Sequence, residues 1–473
     1  MREALKRLSG ESLVYGLGQV SGRAVQLLLV PILTRALTRE VYGVADLVLA
    51  YSQFAVLVLV FGMDGALVRF FYQEPDREAR RRMVSTSLAF RVPTALAGAA
   101  LLAALAGPLS GSLVGSEAYR KYMTIAAVTL PFTLLVLFAN DVLRVTFQPW
   151  KFITLNLVQT VVTGGVSLVL VLDRGLGVVG VLYGKLAGDA ACALLGLVLI
   201  RHSLTTRLDR EMLRRMLRFG APLVPAAVCY GIVTAADRFF LQRERGLAEV
   251  GVYAVALKFF AVVMMAVSAF SLAFFPFAHA RSGSPEAPRL YARVLGLYVA
   301  TASCLALAAG LFAPEALALL VPAEYRDAAL PAALLVFAAV AYGAYYVACL
   351  GIQLALRTSL LGWTAAAAAA VAIALNAALT PRLGIVGAAA ATLAANVTLA
   401  ASTYALAQRV HPLPYRGLRL AALFALAAAL AAAGQVLSPA GPAGWAVKLG
   451  VLAAFAAIAA ALGAWRDRGA IAA

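Results

Sequence analysis

The chain has 473 residues, of which 63% are hydrophobic and only 13% are charged. Soluble domains carry about 25% charged residues, so this composition excludes a water-soluble fold. The net charge of +18 would favour a nucleic-acid partner in a soluble protein. In a membrane protein the distribution of the charge matters more than its size, and we expect no nucleic-acid partner here.

Apolar blocks alternate with short polar stretches along the whole chain, and about 20 residues of helix span a bilayer core. The blocks are rich in Ala and Leu and do not alternate with polar residues, which favours helices over a transmembrane barrel. We therefore predict an all-α integral membrane protein with about 14 transmembrane helices. In chain order these are 13–37, 42–71, 84–109, 122–147, 150–172, 177–200, 219–241, 250–277, 290–312, 328–350, 359–380, 384–408, 418–433 and 444–465.

Basic residues collect on one side of this predicted topology. With the N-terminus in the cytoplasm, the basic runs in 2–7, 77–82 and 201–218 all fall inside, whereas the outer loops hold isolated residues such as Arg39, Arg120 and Arg174. The positive-inside rule thus predicts a multi-pass protein with both termini in the cytoplasm. The dominance of Arg over Lys and the many alanines suggest a bacterial source, and hence the bacterial cytoplasmic (inner) membrane.

Two short motifs recur at nearly one spacing. EVYGVA begins at Glu40 and EVGVYA at Glu249, while RGLGVVG begins at Arg174 and RLGIVG at Arg382; the offsets are 249 minus 40, or 209, and 382 minus 174, or 208. Such a repeat indicates duplication of a six-helix unit. We predict an N-lobe at 1–200 with helices one to six, a C-lobe at 219–410 with helices seven to twelve, and two further helices at 411–473.

Residues 201–218 form the longest polar stretch and would link the two lobes. Arginines alternate there with Leu, Met and Phe at helical spacing, which predicts a basic amphipathic helix on the anionic cytoplasmic leaflet. A docking site for a calmodulin-like partner is the alternative.

Charged and amide residues inside the spans are the candidate substrate-binding site, because a charge at the centre of a membrane helix costs about 2.5 to 3.5 kcal/mol on insertion scales. Gln19, Arg23 and Gln26 share one face of helix one, and we predict that this face lines a cavity. An ion pair between Arg23 and a carboxylate such as Asp46 is the alternative.

Three more positions, Asp46, Gln53 and Lys258, complete this candidate site. Gln53 lies seven residues after Asp46 and shares its face of helix two. Lys258 is about eight residues into helix eight, hence about 12 Å deep at 1.5 Å per residue, with no acidic residue three or four positions away. Its charge therefore calls for a partner from another helix, a water-filled cavity or an anionic cargo.

The remaining charged residues of the spans are candidates for gating or coupling. Spacings of four and of three residues make internal ion pairs of Lys185 with Asp189, and of Asp141 with Arg144, as plausible as a functional role. Adjacent residues point about 100° apart on a helix, so we do not expect Asp237 and Arg238 to pair with each other. The full set is Asp64, Arg69, Asp141, Arg144, Lys185, Asp189, Asp237 and Arg238.

Arg69 fits a snorkelling anchor better than a gate, and Asp237 and Arg238 fit an inter-lobe gate or an interface anchor equally. The four cysteines lie singly in apolar blocks and the three histidines lie at helix ends or in loops. We therefore predict no metal site and no cofactor. No nucleophile and base are arranged as in an enzyme, so we predict that the chain is not one.

Several motifs, in their order and spacing, resemble one family over essentially the whole chain. They are PILTRALTREVYG from Pro31, GMDGALVRFF from Gly62, ADRFFL from Ala236 and the two repeated glycine motifs. Together they are similar to the polysaccharide-biosynthesis branch of the multidrug/oligosaccharidyl-lipid/polysaccharide (MOP) exporter superfamily.

This resemblance implies two pseudo-symmetric six-helix bundles of the MATE/MOP type around a central cavity, with two C-terminal helices added, working by alternating access. The implied cargo is a polyprenyl-pyrophosphate-linked oligosaccharide, and by helix and depth Arg23 and Lys258 would hold its pyrophosphate. Membrane lipids, and the polysaccharide polymerase and glycosyltransferases of the same pathway, are the implied partners.

The leading hypothesis is a flippase that moves this lipid-linked oligosaccharide outward for O-antigen, capsule or exopolysaccharide assembly. The alternative within the superfamily is a MATE-type multidrug/cation antiporter, which would need unpaired carboxylates in its cavity. A membrane-bound glycan ligase or polymerase is disfavoured because the predicted outer loops are short.

Overall fold

The computed structural model describes residues 29–280, 284–355, 357, 359–437 and 442–461. These ranges contain helices and no β-strand. Twelve helical stretches of the described residues are long and apolar enough to cross a membrane. The predicted all-α membrane fold is thus confirmed. The chain divides into two compact units, unit 1 at 1–251 and unit 2 at 252–473.

Residues 29–36 of unit 1 are helical, and nine further helices follow among its described residues. Polar side chains cap several of them: Thr38, Asp76 and Asp209 each accept a hydrogen bond from a backbone N–H of the first turn that follows. The helices are α1 (Arg39–Leu59), α2 (Met63–Gln73), α3 (Arg77–Ala104), α4 (Ala106–Leu109), α5 (Arg120–Val145), α6 (Pro149–Leu168), α7 (Gly177–Ile200), α8 (Arg210–Gly220) and α9 (Val224–Arg245).

Small residues bring α6 and α7 together. A Cβ at Gly184 would overlap Ser167, and one at Gly188 would overlap the hydroxyl of Thr163. Lipid tails are as apolar as leucine, so close backbone approach at small residues is what favours helix association in a membrane. This contact holds the polar residues of α6 and α7 at a fixed distance from each other.

Helix α10 begins in unit 1 and continues into unit 2 after residue 251. The helix α14 contains Gly384, whose φ of 55° and ψ of −132° interrupt the helical backbone, at the boundary predicted between helices eleven and twelve. The helices are α10 (Leu247–Ala280), α11 (Ala287–Leu311), α12 (Ala313–Leu320), α13 (Ala329–Leu354), α14 (Leu360–Val410), α15 (Gly417–Leu437) and α16 (Pro442–Ala461).

The prediction of one continuous helix over 42–71 is wrong. The helix is interrupted between α1 and α2, where Phe61 and Gly62 have φ values of 53° and 67°. Left-handed residues end a helix, and a Cβ at Gly62 would overlap the backbone of Gly220. The total of fourteen spans stays a prediction, because most of the first predicted helix lies outside the described residues.

The linker 201–218 is only partly helical. Residues 204–209 lie along α3, where Arg81 donates to the carbonyl of Leu204 at 2.6 Å and the backbone N–H of Thr205 donates to Ser85 at 2.7 Å. The apolar residues Met212 and Met216 of α8 are buried, and α8 packs against α2 and α3. The apolar face of α8 therefore packs on protein. The contact of α8 with a lipid leaflet stays a prediction, as do the boundaries of the two lobes.

Candidate functional site

Among the described residues of unit 1, four carboxylates lie well inside the membrane helices, and each is bonded to a basic side chain. They are distributed over α1, α5, α7 and α9 and form three separate clusters. The carboxylates are those of Asp46, Asp141, Asp189 and Asp237.

The first cluster joins α1 to α9 through Arg238. The Nε of Arg238 donates to Oδ2 of Asp46 at 2.8 Å, and its Nη1 lies 3.5 Å from Oδ1 of Asp237. The expectation that Asp237 and Arg238 would not pair is therefore wrong. The arginine side chain is long enough to fold back along its own helix, where Nη1 also donates to the carbonyl of Thr234 at 2.7 Å.

The second cluster surrounds the fully buried carboxylate of Asp189 on α7. Lys185 donates to its Oδ2 at 2.6 Å and Gln159 of α6 donates to its Oδ1 at 2.7 Å. Thr133 of α5 also donates to Oδ2. The predicted ion pair of Lys185 with Asp189 is confirmed, and hydrogen bonds from two other helices support it, as a buried charge requires.

A small cavity of about 20 Å³ lies beside this second cluster, which is room for about one water molecule. Gln53 and Lys185 both line it, with Thr129 and Thr133 of α5. The structure thus brings Gln53, predicted for substrate binding, next to Lys185, predicted for gating. The space is far too small for a sugar in the state described.

The third cluster places Asp141 between two arginines. Arg91 of α3 lies 3.1 Å from its Oδ2, and Arg144 lies 2.8 Å from its Oδ1. Only 2% of Arg91 is exposed, whereas Arg144 is half exposed. The ring of Phe138 lies 5.3 Å from the Arg91 guanidinium, which adds a cation–π contact. The predicted pair of Asp141 with Arg144 is confirmed, and Arg91 is a third member.

Asp64 and Arg69 are both exposed on α2. Arg69 lies 4.8 Å from the centre of the Phe219 ring, as expected of an anchoring side chain.

Tyr72 lies at the end of the same helix, outside the candidate spans. Burial raises the pKa of Tyr72 above its ordinary value, and Arg144 and Arg80 oppose that rise. The hydroxyl of Tyr72 is therefore neutral at physiological pH.

The two copies of one repeated motif, EVYGVA and EVGVYA, meet at Gly43 and Gly251. A Cβ at Gly43 would overlap the carbonyl oxygen of Leu247, and one at Gly251 would overlap that of Arg39. The contact is reciprocal, because 247 minus 39 and 251 minus 43 are both 208. The repeat seen in the sequence thus forms a backbone-to-backbone contact between α1 and the first turn of α10.

Gln19, Arg23 and Gln26 lie outside the described residues. Lys258 is partly buried on α10 in unit 2, and its role in binding stays a prediction. The same holds for the substrate role of Asp46 and for the gating role of the paired residues.

Two paired charges, Arg91 and Lys448, lie inside predicted spans and were not among the predicted site residues. Arg91 lies in the predicted third helix and Lys448 in the predicted last helix, where it forms an ion pair with Glu315 of α12. Both could have been found by the rule that singled out the others, namely an ionisable residue within an apolar block. What the rule could not supply was their partners, which lie 50 and 133 residues away.

Known proteins show the family and the fold. The family model described as polysaccharide biosynthesis protein matches residues 32–330, which is more than half of the chain. The putative protein 1 of the Lsg locus of Haemophilus influenzae is 23% identical over 274 residues, a match that spans 56% of this chain and 65% of that protein.

Two solved structures share the fold. The lipid II flippase MurJ in an inward closed conformation has a TM-score of 0.74 at 12% identity, over 96% of this chain and 99% of that one. An outward-facing multidrug resistance MATE family transporter of the MOP superfamily has a TM-score of 0.63 at 14% identity, over 88% of this chain and 96% of that one. Both are transport proteins and not enzymes. The chain belongs to the polysaccharide biosynthesis protein family, and its fold is the one that these two solved structures share.

Proposed function

We propose that this protein is a flippase that moves a polyprenyl-pyrophosphate-linked oligosaccharide across the bacterial cytoplasmic membrane for assembly of a surface polysaccharide. The observation that carries the proposal is the family match over residues 32–330 on a chain whose fold is that of a lipid II flippase. The polysaccharide would be an O-antigen, a capsule or an exopolysaccharide.

The charges of the described helices favour an anionic cargo. In unit 1 the four carboxylates inside the spans are already bonded to arginine or lysine. In unit 2 the helices α11, α13, α14, α15 and α16, and α10 from residue 252, contain no Asp or Glu but do contain basic residues such as Lys258. Arginine and lysine bind phosphate oxygens well, whereas a cationic drug would need a free carboxylate.

In this proposal Arg23 and Lys258 bind the pyrophosphate, and Gln19 and Gln26 bind sugar hydroxyls. Asp46 and Gln53 complete the substrate site, and the paired charges of α5, α7 and α9 act in gating. Each negative charge that moves outward against a negative interior gains about 2.3 kcal/mol per 100 mV. The membrane potential would therefore help to drive transport.

The test is complementation of a deletion strain with Arg23→Ala at a protein level equal to that of the wild type. We expect loss of surface glycan, because the pyrophosphate would lose a charged partner. The matched control is Arg174→Ala, which removes an exposed arginine of a loop and should restore the glycan fully. Normal glycan with Arg23→Ala would refute the assignment of that residue.

A multidrug/cation antiporter is the second candidate, because a MATE transporter shares the fold. Expression in a host that lacks its own drug pumps separates the two functions. A flippase leaves drug resistance unchanged, and a rise in resistance to cationic drugs would favour the antiporter.

The topology with both termini in the cytoplasm, and association with the polymerase and glycosyltransferases of the pathway, belong to the same proposal. Reporter enzymes fused to either terminus should be active in the cytoplasm alone.

A further inference from the structure

Two aromatic side chains form an exposed pair where α2 and α5 end. The rings of Tyr72 and Phe147 lie 6.1 Å apart, and 51% of Tyr72 and 48% of Phe147 are exposed. Trp150, at the start of α6, is exposed as well. Exposed aromatics are common where helices leave the membrane, so the pair needs a second observation before it indicates a site.

The backbone of Phe147 supplies that observation. Its φ of 54° lies in the left-handed region, where glycine is the usual residue after a helix end. The N–H of Gln148 donates to the carbonyl of Leu143 at 2.9 Å, as in a glycine-capped helix. A phenylalanine that is both strained and exposed contributes little to packing, and such strain is concentrated at functional sites.

An exposed arginine, Arg144, accompanies this aromatic pair. Asp141 is shared between the buried Arg91 and the half-exposed Arg144, so one carboxylate serves two guanidinium groups. Arg144 is the exposed member of this pair of arginines, and it lies three residues before Phe147 in the chain.

We propose that Arg144, Tyr72 and Phe147 form a docking site for the headgroup of the lipid-linked saccharide. Arg144 binds a phosphate, and the two rings pack against the apolar C–H face of the first sugar. The inference rests on the proposed function and extends it to the loading step, because the predicted topology places this end of unit 1 in the cytoplasm. Arg91 acts as a positioning residue that fixes Asp141 and, through it, Arg144.

The experiment measures binding of undecaprenyl pyrophosphate carrying one N-acetylglucosamine to the purified full chain in nanodiscs of phosphatidylcholine. Arg144→Gln should weaken binding about tenfold, which corresponds to about 1.4 kcal/mol. The fold should persist, because Asp141 keeps Arg91 as its partner. Phe147→Gly should weaken binding while raising the midpoint of thermal unfolding, a combination that a purely structural role does not produce.

Two variants serve as matched controls. Phe61→Gly relieves a phenylalanine with nearly the same φ of 53°, and Arg174→Gln removes an exposed arginine elsewhere; both should bind the probe like the wild type.

The outcomes separate the two proposals. If the wild type binds the probe and both test variants bind it equally well, the docking site is refuted and the flippase function stands. If the wild type does not bind the probe, the proposed cargo itself is refuted. If added phosphatidylglycerol displaces the probe as well as unlabelled probe does, the site binds phospholipid headgroups and the assignment to cargo is wrong.

Discussion

The interiors of the two units are polar in different ways. In the part of unit 1 that the structure describes, four carboxylates lie inside membrane helices, and each is bonded to a basic residue. The long helices of unit 2 contain no Asp or Glu, and their buried polar residues include amides and hydroxyls such as Asn376 and Thr380, which hydrogen-bond within one helix. Charges inside a membrane are costly, so the buried carboxylates of unit 1 depend on the basic partners that they contact.

Unit 2 contains a large aliphatic and aromatic core. It includes the buried residues Phe274, Tyr298, Phe337 and Phe455. The Lys448–Glu315 pair lies at the edge of this unit, because Glu315 is one-third exposed. We expect variants that remove charges in unit 1 to lower the free energy of unfolding more than variants elsewhere.

The largest effect is expected for Asp189→Leu. The change leaves Lys185, Thr133 and Gln159 without their shared acceptor, and breaking a buried ion pair costs about 3 to 5 kcal/mol. Thermal unfolding in detergent measures the loss. The double variant Lys185→Met with Asp189→Leu should recover much of it, because apolar side chains replace buried pairs well. If Asp189→Leu alone is as stable as the wild type, the cluster around Asp189 does not contribute to stability.

The two arginines of the third cluster allow a sharper test within unit 1. Arg91→Leu should cost about 3 kcal/mol, because the guanidinium is buried and its removal leaves Asp141 a single partner. Arg144→Leu should cost less than about 1 kcal/mol, since pairs with an exposed member contribute little. Denaturation midpoints of the two variants measure the difference. Equal losses would contradict the view that Arg144 serves an external ligand.

Glycine variants compare backbone packing in the two units, with smaller expected effects than Asp189→Leu. Gly43→Ala or Gly251→Ala forces apart two backbones in contact and should cost about 1 to 3 kcal/mol, as overpacking does. Gly450→Ala in unit 2, where a Cβ would meet nothing within 4 Å, should instead stabilise its helix by up to about 1 kcal/mol. The midpoints of thermal unfolding of the three variants measure this difference. A loss of stability in Gly450→Ala as large as that in Gly43→Ala would contradict it.

Most helical spans could be predicted from the sequence, because span length is set by bilayer thickness and needs no knowledge of packing. The helix α7 begins at Gly177 and ends at Ile200, as predicted. The break at Phe61 and Gly62 was not predicted, because the apolar residues continue through it and the contact with Gly220 is 158 residues away, 220 minus 62.

Pairs within one helix could be predicted, as Lys185 with Asp189 shows, because spacing along a helix fixes them. Pairs between helices could not. Arg238 binds Asp46 across 192 residues, and nothing in either local sequence specifies that partner.

The most direct test of the central claim is the leaflet in which lipid-linked oligosaccharide resides in cells lacking this protein. A membrane-impermeant enzyme that cuts exposed glycan, applied to spheroplasts, reports the outer leaflet alone. A flippase predicts that the oligosaccharide accumulates and resists the enzyme in the deletion strain, and becomes sensitive again when the chain is restored. Oligosaccharide that reaches the outer leaflet equally with and without the chain would contradict the account.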